Sequence, residues 1–296
     1  MKILTTFTCI LISISVFAQK TYVLKQNYQA GKKYDFSITS DQIINQKING
    51  RNINLNQSIG TDYTFDIADG NNGDKNIKVI YNHINIKSVA GSSTMTFDSD
   101  QQDSTKQNPF SALKGATFNM VSGANGEIKS VTGVEKMLDN IAAKMSKDAS
   151  QASQIKNSLS KQFNSEAMKQ TMESSFRIYP DKPVKIGDSW TVDTKMQMSM
   201  PIETITTYTL KEVKDGIAIL GVNGKLISKG GFETPGNKME TDLKGTNSGD
   251  VELDIKTGMI INGHLRIEMI GTMKSSGQNI DFEMQGINKI SGKEIR

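Results

Sequence analysis

Apolar and polar residues alternate with a period of two through most of this chain, and that pattern confines it to a β-dominated fold. Trp190, Val192, Thr194, Met196, Met198 and Met200 fall on one side of a strand, with Thr191, Asp193, Lys195, Gln197 and Ser199 on the other. Val251, Leu253 and Ile255 alternate with Glu252, Asp254 and Lys256, and Leu265, Ile267 and Met269 with His264, Arg266 and Glu268. Ile280, Phe282 and Met284 alternate with Asp281, Glu283 and Gln285. One apolar and one wet face per strand is the pattern of an antiparallel sheet solvated on one side. Asn49-Gly50, Asp69-Gly70, Asn72-Gly73, Asn125-Gly126, Asp215-Gly216, Asn223-Gly224 and Asn262-Gly263 punctuate the strands. Such pairs accept the positive φ angles of tight hairpin turns, so they predict a meander and not strand-helix-strand units.

The middle of the chain departs from this pattern. Val134, Met137, Leu138, Ile141, Ala142 and Met145 recur at steps of three and four, the stripe of an amphipathic helix that starts near Thr132 or Gly133. A second stretch carries Ile155, Leu159 and Phe163 on one face, after a polar connection around residues 146–153. A third carries Met168 and Met172 behind the capping residues Asn164 and Ser165. The spacing predicts a helical insert over about 134–175, closed by Tyr179-Pro180-Asp181-Lys182-Pro183, where two prolines forbid further helix.

Short matches recur in the same order on either side of the insert. Gly31-Lys32-Lys33-Tyr34 opens a strand as Gly187-Asp188-Ser189-Trp190 does, and Tyr63-Thr64-Phe65 is echoed by Tyr208-Thr209-Leu210. Asp69-Gly70 corresponds to Asp215-Gly216, and Asn125-Gly126-Glu127-Ile128 to Thr257-Gly258-Met259-Ile260. The expectation is a structural duplication of two curved meanders.

The first residues follow a different logic. Lys2 precedes an apolar stretch from Ile10 to Phe17, and Val16-Phe17-Ala18 places small residues before a cleavage point ahead of Gln19. Residues 1–18 therefore read as a secretory signal peptide, and residues 19–296 as a single β-rich domain outside the cytoplasm, periplasmic or secreted. No later segment approaches eighteen consecutive apolar residues, so no transmembrane segment is expected. Cys9 leaves with the leader, so the mature chain must hold itself together with a hydrophobic core. Thiol catalysis and cysteine metal sites are excluded with it. The balance of 35 basic and 31 acidic residues gives no field for nucleic acid.

The residue types that carry chemistry are sparse. His83 and His264 are the two imidazoles, His264 on a wet strand face and His83 without a carboxylate at ligand spacing along the chain. Asp250, Glu252 and Asp254 alternate as a solvated strand face requires. No Gly-x-Ser-x-Gly elbow and no phosphate-binding glycine loop is present. The expectation is no catalytic residue, no metal ligand and no cofactor.

Methionine is the compositional signal. Outside the leader the chain holds 14 Met against 11 Leu, gathered at Met196, Met198 and Met200, at Met259, Met269, Met273 and Met284, and on the helical stripe. Flexible thioethers line cavities that adapt to varied apolar ligands, and they also fill irregular cores. Met196, Met198, Met200, Val134, Met137, Leu138, Ile141, Met145 and Trp190 are the candidate pocket wall.

The run Tyr179-Pro180-Asp181-Lys182-Pro183-Val184-Lys185-Ile186-Gly187-Asp188-Ser189-Trp190, preceded by a Gly-x-Ile-x-x-Val-x-Gly stretch from Gly126 to Gly133, resembles a family of uncharacterised exported proteins common in Bacteroidota. That resemblance covers most of the mature chain and carries no activity over. Its strand-rich plan is similar, at the level of the fold, to the half-open barrels of periplasmic lipoprotein carriers and lipid-binding envelope proteins. The expected architecture is α+β and β-dominated: a strongly curved antiparallel sheet or half-open barrel of two related meanders, with two or three helices inserted mid-chain to cover it. The expected function is a periplasmic binding module for a lipid or other apolar ligand. An envelope scaffold with a filled core, binding an envelope protein, is the alternative.

Overall fold

The computed structural model describes residues 20–101, 109–161, 163–197, 200–234 and 237–295. The predicted leader, residues 1–18, and Met198 lie outside the described residues. The alternating stretches form twelve strands: β1 (Lys33–Ile48), β2 (Arg51–Asp69), β3 (Lys75–Ala90), β4 (Ser93–Asp98), β5 (Thr117–Ser122), β6 (Ile128–Thr132), β7 (Ser189–Gln197), β8 (Pro201–Lys214), β9 (Ile217–Thr234), β10 (Asn237–Asp254), β11 (Ile260–Ser275) and β12 (Gln278–Ile295). All belong to one antiparallel sheet in the order β6-β5-β3-β2-β1-β12-β11-β10-β9-β8-β7, with β4 attached to β3. The first and last strands, β1 and β12, pair with each other at the centre along their full length. The two mid-chain strands, β6 and β7, become the outer edges, so the sheet is not closed.

Three helices connect those edges: α1 (Val134–Met145), α2 (Ala149–Ser160) and α3 (Ser165–Phe176). Gly133 enters α1 at φ 83, and Asn164 caps α3 by accepting from the Ala167 N–H at 2.9 Å. Residues 149–153 are helical where a polar connection was expected, because the Asp148 carboxylate accepts from the Gln151 N–H at 2.8 Å and starts α2 there. α1 packs on α2, on β5 and on the short 3-10 turn Pro109–Ala112, while α3 packs on both β6 and β7 and so bridges the open seam.

The turns divide the Asx-Gly pairs into two kinds. Asn49-Gly50 (φ 51 and 79) and Asp215-Gly216 (φ 50 and 82) make tight hairpin turns. Asn223-Gly224 and Asn262-Gly263 do not turn and lie inside β9 and β11. Their glycines face the inner side of the sheet, where a Cβ on Gly224 would stand 3.0 Å from Thr206 Oγ1 and one on Gly263 would meet ordinary contacts at 3.5 Å. Ser276-Gly277 (φ 48 and 81) turns β11 into β12 instead. Other inner-face glycines let neighbouring backbone approach closely. Gly249 and Gly271 both adopt φ +152, and a Cβ there would lie 2.0 Å from the His264 carbonyl oxygen and 2.2 Å from that of Asp242.

The inner face carries two apolar clusters. The larger joins Tyr34, Phe36, Phe65, Ile77, Leu210 and Leu253 of the sheet to Val134, Leu138 and Ile141 of α1 and to Met168, Met172 and Phe176 of α3. Phe176 lies 5.2 Å from Phe36 and 5.0 Å from Phe65, ring centre to ring centre. The smaller cluster, Leu226, Leu243, Met269, Met273, Ile280, Phe282 and Met284, belongs wholly to β9, β10, β11 and β12.

Candidate functional site

The smaller cluster is where the methionine signal of the sequence collects. Met269 pairs with Met284 across β11 and β12, Met273 pairs with Ile280, and Met200 and Met239 pack at the cluster's margin. Leu243 and Met269 are 0% and 2% exposed, so the centre of the cluster is dry. Between the two clusters the inner face turns polar and small: Gln57 pairs with Gln42, and Gln42 with Gly286. Two inner-facing amides in this belt, on Asn247 and Asn288, hold a buried oxygen with no hydrogen-bond partner.

Two further apolar residues face inward on β2 and β4, separated from the clusters by polar side chains. Ile53 pairs with Gln46, itself paired with Phe282, and Met95 pairs with Ser88, itself paired with Gln57. Register thus puts Ile53 and Met95 on the inner face, yet they are 43% and 54% exposed. An apolar side chain that faces inward and still meets water marks the end of the sheet where the inner face is open.

The candidate pocket residues separate into distinct places. Val134, Met137, Leu138 and Ile141 are buried in the larger cluster, with Met145 and Trp190 packed at its edge. Trp190 anchors its strand as expected from its position: Nε1 donates to the Ile178 carbonyl at 3.0 Å, and the ring stacks on Tyr208. Met196 is half-buried with its sulfur 3.9 Å from the Ser174 hydroxyl of α3, whereas Met200 belongs to the margin of the smaller cluster. The helix facing β7 is thus α3, and the helix carrying the stripe from Val134 to Met145 faces β5. The residues that sequence reasoning missed are Leu243, Met239, Ile53 and Met95. Their signal was present as strand alternation, but only strand order shows that these strands share a wall.

A polar cluster stands on the outer face. His83 has no carboxylate at ligand spacing along the chain, but the sheet brings Asp98 Oδ1 of β4 to 2.9 Å from its Nε2 and Asp62 Oδ2 of β2 to 3.5 Å from its Nδ1. A bulge between Asp62 and Tyr63 shifts the β2–β3 register and sets His83 opposite Asp62. The hydrogen bond to Asp98 raises the His83 pKa above the usual imidazole value. Asp98 is held below the usual carboxylate range, first by the Asp100 backbone N–H and then by His83. Elsewhere on this face a depression of about 500 Å³ is lined by Asp41, Ser58, Lys87 and Arg266 together with the apolar Ile43, Val89 and Ile287. His264 is exposed, and Asp250 pairs with Lys211.

The chain belongs to a family of unknown function, DUF6263, whose sequence pattern it matches over residues 72–260. No curated protein matches the chain. Among solved structures, lipovitellin, described for its lipid-protein interactions, aligns over 90% of this chain at 8% identity with a TM-score of 0.48. The chain spans about a quarter of lipovitellin, 25% of its length. An outer membrane channel from Pseudomonas putida F1 aligns over 90% of this chain and 97% of its own at 5% identity, with a TM-score of 0.28. At these TM-scores neither likeness amounts to a common fold. Among the described residues no helix is long and apolar enough to cross a membrane.

Proposed function

We propose that the mature chain is an exported binding module that holds a lipid or other apolar ligand against the inner face of its sheet and carries out no catalysis. The observation that supports this reading is the inner wall beyond the helices. A methionine-rich cluster runs from β9 to β12 with Ile44 and Ile48 of β1 packed against it, and on the strands beyond, Ile53 and Met95 face inward and remain exposed. Thioether side chains re-pack around ligands of different shape at small cost, which suits a site for apolar chains.

The same reading takes the two halves as related. In support, the Gly31 N–H donates to Ile67 O and the Ile67 N–H to Lys32 O, while the Gly187 N–H donates to Leu210 O and the Leu210 N–H to Asp188 O. The strand entries that looked alike in sequence are thus held alike. Their lead-in segments also meet, Tyr22 pairing with Val184 in both directions.

Native mass spectrometry and solvent extraction of the purified mature protein test the proposal, followed by titration with a fluorescent apolar probe. Co-purified amphiphile and saturable probe binding are expected. Met95→Asp, at an exposed position, should weaken probe binding about tenfold while leaving stability within about 0.5 kcal/mol. A clean apo protein that binds no probe would overturn the proposal and favour the scaffold with a filled core.

A further inference from the structure

We propose that His83, Asp98 and Asp100 form a binding site for one divalent transition-metal cation, with Asp62 orienting the imidazole. Three segments of the sheet deliver these groups. His83 comes from β3, Asp98 from the end of β4, Asp100 from the turn that follows, and Asp62 from β2. One donor atom from each of His83, Asp98 and Asp100 lies within 4.8 Å of the others.

The spacing fits coordination. Adjacent ligands on a cation with bonds of about 2.1 Å stand about 3 Å apart in octahedral and about 3.4 Å apart in tetrahedral coordination; His83 Nε2 and Asp98 Oδ1, hydrogen-bonded to each other at 2.9 Å, need only a small opening to admit an ion. Asp100 has a half-exposed side chain, free to close the remaining distance by rotation once it releases Lys114, now 2.7 Å away. The carboxylate of Asp62 behind Nδ1 is the arrangement that fixes ring orientation and raises imidazole basicity in metal sites.

Charge supplies an independent argument. Asp62, Asp98 and Asp100 bring three negative charges and Lys114 one positive, so with a neutral imidazole the cluster carries a net charge of minus two. A divalent cation neutralises that charge. One nitrogen with carboxylate oxygens selects zinc or manganese over calcium, which takes oxygen ligands. The ion would tie β4, a strand held in the sheet through β3, to β2 and β3.

The chain contains two histidines, which gives the test an internal control. Tag-free mature protein is titrated with zinc chloride and, separately, calcium chloride by calorimetry, and with cobalt chloride while imidazole resonances are followed by NMR. One zinc per chain, weaker or absent calcium binding, and cobalt-induced shifts at His83 with His264 unmoved are expected. His83→Ala should abolish the site, and Asp62→Asn should weaken it about ten- to a hundredfold. No zinc binding by the folded wild-type chain, zinc binding unchanged in His83→Ala, or cobalt shifts at His264 in place of His83 would each overturn the assignment. The NMR arm needs no variant, so the test stands even if a substitution disturbs folding.

Discussion

Gly258 adopts φ +73 at the turn between β10 and β11, and a Cβ there would sit 2.1 Å from the Lys25 carbonyl oxygen. The turn is closed by the Gly258 N–H donating to Asp254 O, and the Tyr179 hydroxyl donates to the Gly258 carbonyl at 2.7 Å. One glycine thus joins the segment before β1, the turn and the segment after α3. Gly258→Ala meets both a strained backbone angle and a backbone contact that cannot yield, so a loss of about 3 kcal/mol is expected. It is read as a fall in the urea midpoint at unchanged slope. In sequence Thr257-Gly258 stands out as the counterpart of Asn125-Gly126, but the close approach of residue 25 is invisible to any local pattern. His83 teaches the same lesson from the other side. Its carboxylate partners are 15 and 21 positions away in sequence, and only the β2–β3–β4 register with its bulge brings them within reach.

At the scale of elements the periodicities were reliable and the punctuation was not. The three-and-four stripe from Val134 to Met145 is α1, and its buried positions are Val134, Met137, Leu138, Ile141 and Ala142. The period-two faces are the inner and outer faces of β7, β10, β11 and β12, with Val251, Leu253, Met269 and Met284 buried. Asn-Gly, however, has two physical uses: it supplies positive φ in a turn, and it removes a side chain where a sheet is crowded. Asn223-Gly224 serves the second use, Asn262-Gly263 lies mid-strand without a turn, and composition alone does not separate them from the turn pairs. α3 is the element whose role sequence reading left undefined, since a covering helix and a seam-bridging helix carry the same stripe. Phe176 holds it to the sheet through Phe36 and Phe65. Phe176→Ala is expected to cost about 3–5 kcal/mol. Asn164→Ala, which removes the cap alone, should cost about 1 kcal/mol. Thermal unfolding of the two variants should therefore separate loss of core from loss of cap.

For the whole molecule the deciding fact is that the chain's first and last strands meet in the centre of one twelve-stranded sheet. The edges then fall to mid-chain strands, where the helical connection is at hand to bridge them. The core this encloses is rich in phenols shielded from water. Burial pushes Tyr63 up to about 12 and raises Tyr28, Tyr81, Tyr179 and Tyr208 as well. The unfolded chain would ionise these groups near pH ~10. Their contribution to stability is therefore intact below about pH 10 and is lost as pH rises towards and through the folded values. Alkaline titration followed by absorbance at the phenolate band should show these tyrosines ionising together with loss of near-ultraviolet dichroism. Independent ionisation of all of them near pH ~10 in a still-folded protein would contradict this packing.

The β-dominated class, the helical insert and the methionine excess were determined by sequence, because period, cap chemistry and composition are local properties that each segment carries with it. Trp190 as the opening anchor of a strand was equally legible, since its bulk and the preceding Gly-Asp-Ser turn are adjacent in the chain. Which faces meet was decided only by tertiary structure. Strand order parts the Val134–Met145 stripe from Met200 and places Met200 with Met269 and Met284. Register gathers His83 with Asp62 and Asp98. Both are long-range pairings, and an antiparallel strand with one apolar face fits many neighbours equally well until the whole sheet selects one.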